Sequence, residues 1–132
     1  MFKIDENKNM YLNRGDQISI ELTANQSFMP GDIIKFSIVK EKDYSTVFLQ
    51  KKFIVQEESD SFTIDLTSED TRFCDLIKNQ SKTFWYEIEY NDSSTLIGYD
   101  DKGGKQFILY PEAPDKIENQ YLDNEIGQKI GV

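Results

Sequence analysis

The sequence predicts an all-β chain, an antiparallel β-sandwich carrying one short helix and a C-terminal tail. Three observations carry that expectation. Apolar and polar residues alternate in run after run, the pattern of a strand with one buried face. Clusters of Gly, Pro, Asn and Asp separate the runs at the spacing of a sandwich or barrel. Aromatic residues, 13% of the chain, fill the runs together with β-branched ones, which suits a pleated surface.

Taken in order, Arg14-Gly15-Asp16 forms a turn leading into Gln17–Thr23, where Ile18, Ile20 and Leu22 share a face. Pro30-Gly31-Asp32 leads into Ile34–Ile38. A less regular strand is expected within Val47–Val55, then a regular one in Phe62–Leu66. Thr67-Ser68-Glu69-Asp70 supplies a hydroxyl cap and first-turn acids for a short helix ending near Asn79, with Phe73, Leu76 and Ile77 on one face. Further strands are expected at Tyr86–Tyr90, Thr95–Gly98 and Gln106–Tyr110. Pro111-Glu112-Ala113-Pro114 then stops the last ladder. The sandwich therefore spans 1–112 and a tail 113–132. In the tail Tyr121 follows Ile117 by four residues, and Leu122, Ile126 and Ile130 form an i, i+4, i+8 row interrupted by Gly127 and Gly131. Two readings stand for it: a frayed end, or a segment that orders on a partner or neighbouring subunit.

Composition removes several functions. The chain has 132 residues, about one domain, and a formal charge of -9 from 15 basic and 24 acidic residues. That acidity disfavours nucleic-acid binding, which draws its affinity from Lys and Arg on phosphates. With no histidine, no His-based triad, general base or metal site is expected. The single Cys74 has no cysteine partner and lies beside Asp75, so it reads as a packing residue. No apolar run reaches the roughly 18–20 residues of a membrane span, and the first residues lack a signal peptide's apolar core. The acidic runs Glu57-Glu58-Ser59-Asp60, Glu69-Asp70 and Asp100-Asp101 match no calcium-loop pattern and read as solvated loops and a helix first turn. No catalytic residue, cofactor or metal is expected. Trp85 stands apart: alternation puts it beside Glu87 and Glu89, opposite Phe84, Tyr86, Ile88 and Tyr90. It is either a partner contact or a rim residue under a loop.

The order of motifs carries a resemblance. Asn13-Arg14-Gly15-Asp16 and Pro30-Gly31-Asp32 each enter a strand, followed by Leu66-Thr67-Ser68-Glu69-Asp70-Thr71, Trp85-Tyr86-Glu87-Ile88-Glu89-Tyr90, Thr95-Leu96-Ile97 and Phe107-Ile108-Leu109-Tyr110-Pro111-Glu112. Over Phe2 to Glu112 the chain resembles the N-terminal β-sandwich domain of phage baseplate upper proteins and related virion proteins of phages infecting Gram-positive bacteria. The resemblance implies an Ig-like fold and a non-enzymatic role as a baseplate or tail adaptor or virion connector. The partners it implies are other virion or tail proteins, within a homo-oligomeric assembly and without nucleic acid or membrane; the protein would be made in the host cytoplasm and reside in the virion. The residues expected to meet partners are Trp85, Ile117, Tyr121, Leu122, Ile126 and Ile130. The alternative is a carbohydrate-binding module that stacks Trp85 and nearby tyrosines on bacterial cell-wall glycans.

Overall fold

The computed structural model describes residues 1–112 and 127–132. Among them run strands β1 (Phe2–Ile4), β2 (Met10–Asn13), β3 (Ile18–Phe28), β4 (Ile33–Lys40), β5 (Asp43–Ile54), β6 (Ser59–Leu66), β7 (Lys82–Tyr90), β8 (Ser94–Ile97), β9 (Lys105–Tyr110) and β10 (Gly127–Gly131). They form two packed sheets. The larger has the order β1-β2-β9-β7-β4-β5, with β8 also paired to β7; the smaller has the order β10-β3-β6. β1 lies beside β10 on one flank, and on the other Lys51 of β5 reaches the Asp65 carbonyl of β6 at 3.4 Å. The larger sheet thus curls around the smaller one. The fold is an all-β sandwich.

The alternating residues supply its interior. Ile18, Ile20 and Leu22 on β3 and Ile64 and Leu66 on β6 face Ile34, Phe36 and Ile38 on β4 and Phe84, Tyr86 and Ile88 on β7, all of them buried. Phe36 stacks on Tyr86 at 5.8 Å and meets Phe107 edge-on at 6.2 Å, the geometries that aromatic quadrupoles favour. Tyr86 buries its ring and satisfies its hydroxyl, which donates to the Lys8 carbonyl at 2.5 Å.

Three features depart from the sequence expectation. The sheets are mixed: β2 runs parallel to β9, and β10 parallel to β3, while the remaining strand pairs are antiparallel. The expected helix shrinks to one 3-10 turn, Asp70–Arg72. Its own N-cap, Glu69, makes no side-chain cap bond, but ahead of it Thr67 Oγ1 accepts from the Asp70 amide and Asp70 Oδ2 from the Thr67 amide, a reciprocal arrangement of the capping-box kind. The following residues do not keep helical period. Phe73 packs on Phe84 at 4.9 Å, whereas Ile77 is left 70% exposed. Finally, the end of the expected tail returns to the sandwich. Gly127–Gly131 pairs with Ser19–Thr23, and Ile130 is buried opposite Leu22. Ile130, expected to meet a partner, is buried in this chain's own core. Ile117, Tyr121, Leu122 and Ile126 lie outside the described residues.

One ion pair ties the flank of the sandwich to the Asp70 turn. Burial pushes the Asp70 carboxyl up, but Lys51 Nζ at 2.7 Å and the Thr67 amide outweigh it and hold it below its ordinary 3.8. A depressed folded value means that this pairing stabilises the fold above the unfolded value and that the contribution is lost as pH falls through the folded one. Asp70→Asn is therefore expected to flatten the acid limb of a urea-midpoint titration below about pH 4, with little pH dependence added above pH 5.

Candidate functional site

The Arg14-Gly15-Asp16 tripeptide is fixed as a structural turn. Gly15 adopts φ +87°, a backbone conformation that favours glycine, and a Cβ there would push the Glu112 carboxylate, 2.7 Å away, aside. Arg14 Nε donates to the Cys74 carbonyl at 2.6 Å, and Asp16 Oδ2 accepts from the Asn13 amide at 2.9 Å. Glu112 bridges Arg14 and Arg72. These bonds join the end of β9 to the β2–β3 turn. Cys74 sits half-buried beside them, its thiol pushed up by burial; Lys82 and Arg14 pull the other way and Asp75 adds to the rise. An elevated thiol is a weak nucleophile. Among the described residues no three acidic or cysteine side chains converge as a metal site would require.

The chemistry-bearing cluster lies elsewhere, on the outer face of the larger sheet. Alternation along β7 turns Trp85 and Glu87 outward. Register then places Val39 of β4 beside Trp85, and Val47 of β5 beside Val39. Tyr44, at the start of β5, meets the indole at 5.3 Å, and Tyr99, just after β8, meets it at 6.0 Å. The β8–β9 loop closes over the ring: a Cβ on Gly104 would lie 2.4 Å from Trp85 Cδ2. Only glycine allows that approach. Trp85 and Tyr44 are half-buried in this packing, Val39 is fully covered, and Tyr99 stands 65% exposed.

Two polar groups in the cluster form no hydrogen bond or ion pair among the described residues. The Tyr44 hydroxyl is buried with no hydrogen bond; burial raises its pKa, with Glu87 and Tyr99 adding to the rise. Glu87 is half-buried and its carboxyl is pushed up by burial and by Glu89, with Lys35 opposing. Lys35 is itself shared between Glu89 and Asp92, 3.5 Å from each, and no described residue forms an ion pair or hydrogen bond with Glu87. Its Oε2 would lie 3.2 Å from a Cβ on Gly98, so this carboxylate borders the backbone that carries Tyr99. The sequence singles out Trp85 but not Tyr44 or Tyr99, which come from separate runs and meet only through strand register. Comparison with protein-family models, curated proteins and solved structures finds no match for this chain.

Proposed function

We propose that the protein is a non-enzymatic structural subunit of a phage or phage-tail-like particle, an adaptor or connector in the baseplate or tail that works by docking onto other virion proteins. The reading rests on the motif order from Asn13-Arg14-Gly15-Asp16 to Phe107–Glu112 and its resemblance to baseplate upper proteins. The observation that supports it best is where the described residues on either side of 113–126 are anchored. It leaves the end of β9, where the Arg14 amide bonds to the Tyr110 carbonyl at 2.8 Å, and the chain resumes at Gly127 opposite Ser19. Both anchor points lie next to the 14–16 turn. The apolar residues Ile117, Tyr121, Leu122 and Ile126 fall in the sequence between these two anchor points. Docking through them would gain about 25 cal/mol per Å² of apolar surface removed from water.

The test replaces Ile117, Tyr121, Leu122 and Ile126 together by serine and leaves β10 intact. Expressed with the tail and baseplate genes of its own genome, the quadruple variant is expected to keep the wild-type urea midpoint but to be missing from purified particles. Incorporation at the wild-type level would overturn docking through this segment. Absence of the wild-type protein from the particles would overturn the virion reading itself.

A further inference from the structure

Tyr99 is an exposed aromatic residue next to Gly98, which borders a carboxylate, that of Glu87, with no ion pair or hydrogen bond among the described residues, and nothing in a docking role uses either. Tyr99 packs at a tilt against Trp85, which the Gly104 backbone covers and Tyr44 also contacts. Its backbone neighbour Gly98 lies against Glu87 Oε2.

The dimensions of the cluster narrow what it can hold. A stable protein interface takes about 800 Å² from each partner. Here the strongly exposed apolar residues are Tyr99 and Val47, at 65% and 48%, and a whole aromatic side chain buries only about 150–250 Å². The apolar part of this patch is several-fold smaller than the share such an interface takes. An organic cation is held by rings that surround a gap, whereas these rings touch one another at 5.3 and 6.0 Å. An exposed aromatic ring with a carboxylate acceptor against the adjoining residue, Gly98, suits a pyranose. The C–H face of the sugar covers the phenol ring while a hydroxyl donates to the carboxylate. We infer that the outer face formed by Tyr99, Trp85 and Glu87 is a binding site for a neutral saccharide, with Tyr99 as stacking platform, Glu87 as hydroxyl acceptor and Trp85 as the support beneath. The site shares no residue with the segment 113–126, so its failure leaves the virion reading where it stood, and the reverse.

Trp85 is the only tryptophan of the chain, which makes its fluorescence a reporter of this one place. The full-length protein is titrated with chitotriose, maltotriose and cellotriose, and separately with tetramethylammonium chloride. At least one trisaccharide is expected to shift Trp85 emission saturably with a millimolar dissociation constant, as one stacked ring and one or two hydrogen bonds would give. Tyr99→Ala is expected to weaken binding by about tenfold or more, and Glu87→Gln by several-fold, with circular dichroism and urea midpoint unchanged. Tyr99 is exposed, so its removal leaves the core intact. No response to any of the three trisaccharides, a saturable response to tetramethylammonium alone, or saccharide binding that survives Tyr99→Ala would each overturn the site.

Discussion

Cutting the chain after Glu112 is expected to unfold the sandwich rather than to release a stable domain from its tail. The cut removes β10, and with it the parallel ladder from Ser19 to Thr23 and the bond from the Val132 amide to the Thr23 carbonyl at 2.9 Å. β3 loses its neighbour on one side, and the smaller sheet is reduced to β3 and β6, a two-stranded pair that is marginal alone. Ile130 is 4% exposed, and truncating a buried isoleucine to alanine costs about 2–5 kcal/mol. A domain has only about 5–15 kcal/mol to lose, so the ladder and Ile130 together threaten the whole fold. In urea unfolding followed by circular dichroism, Ile130→Ala should lower the midpoint strongly at unchanged slope, and the cut chain should be unfolded or insoluble. Lys129→Ala is the control: that side chain is 77% exposed and 3.8 Å from Glu21, and exposed pairs contribute about 0–1 kcal/mol. A cut chain with the wild-type midpoint would mean that β10 does not belong to the core.

Strand β10 also marks where the sequence stops being legible. Period-2 alternation needs several residues to declare itself, and Gly127-Gln128-Lys129-Ile130-Gly131 contains one large apolar side chain between two glycines. Its burial is decided by β3, more than a hundred residues earlier. Ile130 also falls on a spacing of four from Ile126 and Leu122, which mimics a helical row. β1 and β2 escape notice for a related reason, since Phe2–Ile4 is three residues long and Met10–Asn13 only four. By contrast β3, β4, β6, β7 and β9 carry two or three inward apolar residues each at strict alternation, and all are legible. β5 is the least regular run and proves to be an edge of the larger sheet among the described strands, where Val47 and Ile54 remain exposed and a clean two-sided pattern is not enforced.

The site is legible only in part, for a different physical reason. The run Phe84–Tyr90 shows in sequence which side chains turn in and which turn out, and so isolates Trp85 and Glu87. It holds no information on what lies across the sheet. Tyr44 reaches the indole because β5 starts at Asp43, after a tight turn in which Lys42 takes φ 65°. Tyr99 and Gly104 reach it because the β8–β9 connection folds back over β7. Both are consequences of register, which alternation constrains to a face but not to a neighbour.

Phe36→Ala is expected to be the most damaging single side-chain truncation in the protein. Phe36 occupies the middle of β4, which is paired on both sides, to β7 and β5, so no edge is available to relax into the space. Its ring is fully buried between Tyr86 and Phe107. Phe→Ala changes in cores cost about 3–5 kcal/mol, and the loss of two aromatic partners places this one toward the upper end. The consequence extends beyond the cavity. Tyr86 is positioned by that stack, and its hydroxyl holds the Lys8 carbonyl in the β1–β2 turn, where Lys8 takes φ 68°. Loosening Tyr86 therefore reaches the edge of the larger sheet. Phe36→Leu keeps most of the volume and should cost well under half as much. Urea denaturation of the two variants gives the comparison. Equal losses for Leu and Ala would mean that the lost ring contacts, and not the cavity, account for most of the cost. A loss below about 1 kcal/mol for Ala would contradict the packing of the two sheets around this residue.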